Sequence, residues 1–205
     1  MKKVLDFIKK YCHYFYAAGI ILCLIAADQI TKQVVRANVA YGATPGIKII
    51  NNFFYITYSE NHGAMNGSFT GYLALLIIIT IIALGVFGYL LRSVNFQKKR
   101  LYSWALCLIV AGTLGNFIDR IFNHGGVIDF LSVYPLGMGH DWAITKWSLD
   151  PWPTFNIADS LLVVGVISLA VQILFFDKEK DQKRDKNTPN VPVEDLKEEN
   201  ADGDN

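Results

Sequence analysis

Tyr72 to Leu91 reads Y-L-A-L-L-I-I-I-T-I-I-A-L-G-V-F-G-Y-L-L, without one charged side chain. The hydrocarbon layer of a membrane is roughly 30 Å thick, and a helix of about 20 mostly apolar residues crosses it. The stretch has that length and composition, so it is read as a membrane span. Working outward, three further segments qualify: Leu101 to Ile118, Ala158 to Phe176 with Asp159 at its start, and Tyr14 to Ile30 with Asp28 near its end. The last of these follows Lys2, Lys3, Lys9 and Lys10 and closes on Ile25-Ala26-Ala27, as a cleavable signal peptide does. Three later spans make it an uncleaved anchor instead. The fold class expected is an α-helical polytopic membrane protein with four transmembrane helices, near 14–30, 72–91, 101–118 and 158–176. Outer loops at 31–71 and 119–157 complete a membrane domain over 1–176.

Composition agrees with this. Of 205 residues, 52% are hydrophobic and 18% charged, against about 25% charged in ordinary soluble chains. Mean hydropathy is +0.29 and the formal net charge +1. These values argue against a soluble domain and against a nucleic-acid binder with a broad basic face. Ten acids and six bases fall from Asp177 onward, leaving eight acids and thirteen bases before it. The segment 177–205, with Pro189 and Pro192 and few apolar groups, is expected to be a disordered cytoplasmic tail. Cys12, Cys23 and Cys107 lie in apolar runs and read as small core residues rather than bridges or a zinc cluster.

Lysine and arginine concentrate in the loops that stay cytoplasmic. Four lie ahead of the first span, four lie in Arg92 to Arg100, and six lie in the tail. The two long loops hold only Lys32, Arg36, Lys48, Arg120 and Lys146. Both termini are therefore expected in the cytoplasm. Every acid before the tail except Asp6 then falls on the outer side: Asp28, Glu60, Asp119, Asp129, Asp141, Asp150 and Asp159. Carboxylates near membrane depth cost several kcal/mol, so those that persist pair, line water or do chemistry.

The first outer loop contains I-K-I-I-N-N-F-F-Y-I-T-Y, rich in β-branched and aromatic residues, within Pro45 to Tyr58. It predicts one or two strands of a small extracytoplasmic sheet. In the second outer loop Gly125-Gly126, Pro135, Gly137, Gly139, Pro151 and Pro153 mark turns rather than long elements. Trp142, Trp147 and Trp152 fit an interfacial belt.

Among the polar residues, Asp28 and Lys32 stand four apart and share a helix face, where they form an ion pair. Asn116, Asp119 and Arg120 also share a face. Asp119 and Arg120 either anchor the helix end by charge, or Arg120 holds a substrate carbonyl or tunes a carboxylate. Taken singly, Asp129 reads as a turn residue, and Asp159 or Ser160 as a helix cap. Taken together, Asp129 and Asp159 lie at one membrane depth among apolar neighbours and point to a pair sharing one proton. His62, His124 and His140 are irregularly spaced and make no metal motif; neither a P-loop nor a dinucleotide fingerprint occurs.

These motifs together resemble the bacterial lipoprotein signal peptidases, the type II signal peptidase family. The resemblance rests on Asp28-Gln29-Ile30-Thr31-Lys32, Asn61-His62-Gly63-Ala64, Gly115 to Arg120, Val127 to Phe130 and Phe155 to Asp159, in that order on four spans. It implies a catalytic pair at Asp129 and Asp159, with Asp28, Lys32, Asn61, Gly63, Asn116, Asp119, Arg120 and Asn156 as supporting residues. It further implies aspartic endopeptidase activity on prolipoproteins that carry a diacylglyceryl cysteine. Asn61, Asn116, Arg120 and Asn156 are expected to position the substrate's oxygens. No metal, organic cofactor or nucleic acid is expected, membrane lipids surround the chain, and it is expected to be monomeric. The alternatives are a small proton-coupled carrier loading protons on the outer aspartates, or a non-catalytic assembly factor. The carrier lacks a matching carboxylate in the inner half of any span.

Overall fold

The computed structural model describes residues 2–44, 46–62, 73–123, 126–134 and 152–177. Among these residues four helices are long and apolar enough to cross a membrane: α1 (Lys2–Asn38), α2 (Leu73–Leu90), α3 (Arg100–Phe122) and α4 (Ile157–Val171), the last continuing into a π-helical turn, Gln172–Asp177. Three strands, β1 (Ile47–Ile50), β2 (Phe54–Asn61) and β3 (Val127–Val133), form an antiparallel sheet in that order.

Helix α1 does not stop near Ile30. It runs on to Asn38, because Lys32 is neutralised inside the fold by Asp28 and Asp119 and need not be left to water. Helix α3 likewise continues past Ile118, carrying Asp119 and Arg120 as helical residues. In α3 56% of the most apolar window is shielded by protein, against 6% to 17% in the other spans, so α3 is the central helix. Helix α2 is its opposite: it has no buried residue, and Ile78, Ile79, Ile81, Ile82 and Val86 are exposed. On a helix this apolar such exposure is a lipid-facing surface.

The core between α1 and α3 is made of Ala17, Ile21, Leu106, Cys107, Val110 and Ala111. Close approach of α4 to α3 depends on absent side chains. A Cβ on Gly115 would lie 2.7 Å from Oδ2 of Asp28 and 3.0 Å from Cβ of Ala158. Glycine at this place lets α1, α3 and α4 meet around one carboxylate.

The sheet answers the expectation of strands between Pro45 and Tyr58 with β1 and β2. It corrects the reading of the second outer loop, because Val127 to Val133 is a strand and Asp129 lies within it rather than in a turn. The V-I-D-F-L-S-V run is β-branched and aromatic on both sides of the aspartate, and its first four residues are buried. Strand β2 pairs with β3 on both sides of an irregularity between Ile56 and Ser59, which brings Ser59 opposite Asp129. Beyond the other edge, Phe155 exchanges backbone bonds with Leu131 at 2.8 and 3.1 Å. This bridge delivers Asn156 and the start of α4 beside Asp129. A second apolar cluster, Val35, Val39, Tyr58, Ile128 and Phe130, seats the sheet on the end of α1.

Candidate active site

Three helices and one strand converge where α1, α3, β3 and α4 meet. The lowest layer is ionic. Lys32 Nζ lies 2.8 Å from Asp28 Oδ2 and 2.9 Å from Asp119 Oδ2, and donates to Asn116 Oδ1 at 3.1 Å. Lys32 and Asp28 are completely buried and Asp119 nearly so. A charge this deep is tolerated only when its partners fill its bonding capacity, and here three acceptors surround one ammonium. The two carboxylates then turn outward. Asp28 Oδ1 accepts the backbone N–H of Ala158 at 2.9 Å, fixing the first turn of α4. Asp119 Oδ2 accepts the N–H of Ile128 at 3.1 Å, fixing the residue before Asp129.

Above this layer Asn156, fully buried, joins the remaining aspartates. Its Nδ2 donates to Asp129 Oδ1 at 2.7 Å, and its backbone N–H donates to Asp159 Oδ2 at 3.1 Å. Its Oδ1 accepts the N–H of Asp159 at 2.9 Å. Asn156 is thus the N-cap of α4 and Asp159 its reciprocal partner three residues on, a capping box. The cap is therefore Asn156, with Asp159 completing it and the Ser160 hydroxyl donating to Asn156 O at 3.1 Å. The free side of each carboxylate is held by another asparagine. Asn116 Nδ2 donates to Asp159 Oδ1 at 2.7 Å, and Asn61 Nδ2 to Asp129 Oδ2 at 3.2 Å. Arg120, half-buried, donates to Asn116 O at 3.4 Å.

Asp129 is almost entirely buried. Burial first, and the charge of Asp159 second, push its carboxyl up from an ordinary 3.8 to about 7, against the lowering effect of Asn61, Asn156 and Lys32. Two carboxyls compete for one negative charge here, and a proton retained near neutral pH is the physical result. On the neighbouring strand, Tyr58 donates to Glu60 Oε1 at 2.6 Å and holds that carboxyl below its usual range.

Of the residues expected in the site, Asp28, Lys32, Asn61, Asn116, Asp119, Arg120, Asp129, Asn156 and Asp159 come together; Gly63 lies outside the described residues, as do His124, His140, Trp142 and Trp147. Sequence reasoning missed Gln29, whose Nε2 donates to Asp119 Oδ1 at 3.0 Å, Gly115 O at 3.1 Å and Asp28 Oδ2 at 3.2 Å. Its position between Asp28 and Lys32, directly after the apolar run that ends at Ala27, was the available signal. It also missed Ser59, which donates to the backbone oxygen of Asp129 at 3.2 Å. Among the described residues, no group of three or more His, Cys, Asp or Glu could hold a metal ion.

Comparison with known proteins follows the same line. The chain is 35% identical over 165 residues to a lipoprotein signal peptidase of Listeria monocytogenes, covering 80% of this chain and 96% of that one. It is 36% identical to a lipoprotein signal peptidase of Bacillus pumilus, covering 80% and 94%, and 36% identical to one of Geobacter sulfurreducens, covering 79% and 93%. A solved structure described as a bacterial membrane enzyme superposes with a TM-score of 0.63 at 31% identity, covering 84% of this chain and 93% of that one. None of these favours the carrier alternative. The model for "Signal peptidase (SPase) II" matches residues 20–175, and with the four spans this establishes that the chain, a multi-pass bacterial membrane protease, belongs to the signal peptidase II family.

Proposed function

We propose that the chain is an aspartic endopeptidase that removes signal peptides from prolipoproteins, cutting before a cysteine that carries diacylglycerol. Asp129 and Asp159 are the catalytic pair, acting at the outer leaflet with both termini cytoplasmic. Residues 1–176 make up the peptidase domain, and no part of the chemistry is assigned to 177–205. The observation that carries this reading is the bridge through Asn156, which bonds Asp129 at 2.7 Å and Asp159 at 3.1 Å and so couples two carboxyls from a strand and a helix.

Peptide hydrolysis needs a base to take a proton from the attacking water and an acid to polarise the scissile carbonyl. One proton shared by the pair supplies both at neutral pH, and the two groups titrate as a unit. The water lies between them; its oxygen attacks the carbonyl carbon while the protonated carboxyl donates to the carbonyl oxygen. The nitrogen of the leaving peptide then takes up a proton from the pair as the C–N bond breaks. Asn116 and Asn156 spend their donors on the carboxylates, setting the orientation of each, and Arg120 is the group assigned to the substrate's developing oxyanion. The lipid anchor holds the cleavage site at the depth of the pair, so substrate arrives by diffusion within the membrane.

The test is cleavage of a lipid-modified precursor by Asp129→Asn and Asp159→Asn. Each is expected to lose about 10³-fold or more in rate while keeping its fold by thermal unfolding in detergent. Substantial turnover by either variant rejects the catalytic assignment.

A further inference from the structure

We propose that a basic cavity at the other end of the helix bundle binds the phosphate headgroup of an anionic phospholipid. The cavity has a volume of about 320 Å³, and His13, Tyr14, Arg92, Asn95, Lys98 and Lys99 contribute to its lining, which among the described residues includes no Asp or Glu. Helix rise puts Tyr14 about 21 Å along α1 from Asp28, so this site is separate from the carboxylates.

Three cations gathered without a carboxylate among them repel one another unless an anion joins them. The connection between α2 and α3 is nonetheless held in one shape. Tyr14 donates its hydroxyl to Arg92 O at 2.9 Å. Asn95 Oδ1 accepts the N–H groups of Gln97 at 3.0 Å and Lys98 at 2.9 Å, and Asn95 N donates to Ser103 Oγ at 3.0 Å. Arg92 stacks over the Tyr89 ring and Lys99 over the Tyr102 ring, at 5.2 and 5.5 Å. The loop backbone is fixed and two of the three exposed cations, Arg92 and Lys99, are placed over rings, so little ordering remains to be done when a phosphodiester binds.

The surroundings select the source of that phosphate. Phe15, Tyr16 and Tyr89 are exposed at this level, and Trp104 meets Phe96 edge-on at 6.0 Å. Exposed aromatic rings at the end of apolar helices mark the headgroup layer of a bilayer. A phosphate presented there is a lipid's own, and each basic side chain near an anionic leaflet adds to its attraction.

Native mass spectrometry of the full-length protein released from nanodiscs tests this. Wild type is expected to retain phosphatidylglycerol about tenfold more tightly than Arg92→Gln/Lys98→Gln/Lys99→Gln, with phosphatidylcholine retained equally weakly by both. A control variant, Lys178→Gln/Lys180→Gln/Lys183→Gln, removes the same charge from the tail and is expected to behave as wild type. The single variant Lys98→Gln, at an exposed position, gives an intermediate loss even if the triple variant does not fold. Equal retention by wild type and the cavity variants overturns the proposal, as does an equal loss in the tail control. Displacement of phosphatidylglycerol by inorganic phosphate at matched concentration also overturns it, showing a soluble anion to be the occupant.

Discussion

Lys32 Nζ stands 2.9 Å from Asp119 Oδ2, the same atom that accepts the backbone N–H of Ile128. One ion pair between α1 and α3 therefore also sets the strand residue immediately before Asp129. Removing the cation alone leaves two buried carboxylates, Asp28 and Asp119, without a counter-charge. Lys32→Met is expected to destabilise the protein by about 3–5 kcal/mol in thermal or denaturant unfolding. Adding Asp119→Asn to Lys32→Met relieves one of the stranded charges, so the double variant is expected to be more stable than Lys32→Met alone. Strict additivity of the two changes would show that the pair is not coupled.

Asn156 does two jobs through different atoms. Its Oδ1 caps α4 and its Nδ2 reaches Asp129. Asn156→Ala is expected to cost about 1 kcal/mol for the lost cap. Cleavage of a lipid-modified precursor should fall further, by about 10²-fold, because Asp129 loses its orientation. Asn156→Ser restores a capping oxygen without the amide donor, so it is expected to recover stability but not rate.

The raised Asp129 carboxyl has a pH signature opposite in sign to that of an ion-paired aspartate. Unfolded, it ionises near 3.8; folded, near about 7. Between these values the folded protein holds a proton that the unfolded chain has released, so stability falls as pH rises through that window and the full cost is present above it. The unfolding temperature is expected to decline from pH 3.8 to about 7, and Asp129→Asn to flatten that decline. Cleavage is expected to fall on the alkaline side of about 7, where the shared proton is lost. An alkaline limb unmoved from a midpoint two units higher would contradict the shared-proton mechanism.

Gly115 gives a steric test. Gly115→Ala sets a methyl group 2.7 Å from Asp28 Oδ2, an atom fixed by Lys32 and by its own burial. Asp28 must shift, and with it the Ala158 N–H that begins α4. A loss of about 1–3 kcal/mol is expected in thermal unfolding, with reduced cleavage. Gly85→Ala, on the lipid-facing helix α2, meets open space and is expected to leave both unchanged.

The four spans were legible because about 20 apolar residues in a row have few other uses. Their ends were less so, since α1 passes through Lys32 only by virtue of Asp119, a residue 87 positions later whose proximity no local pattern reveals. Strand β3 escaped for a related reason: covered on both faces, it shows no alternation of apolar and polar residues, and its central aspartate resembles a turn. The polar residues that assemble were recognisable by type, because acids and asparagines are conspicuous among apolar spans. Their division of labour was not. Only the three-dimensional arrangement reveals that the amide of Asn116 reaches Asp159 and that of Asn156 reaches Asp129.

Asp28 and Lys32 lie on the same helix four residues apart, so α1 can enter the bilayer with its two charges already matched. Asp119 has no cation four residues away on its own helix and meets Lys32 only when α3 reaches α1. Because α1 is synthesised first, the cation is waiting when α3 emerges. The same docking lines up the segments bearing Asp129 and Asp159, so the carboxyl pair comes together only once the spans that carry it have met.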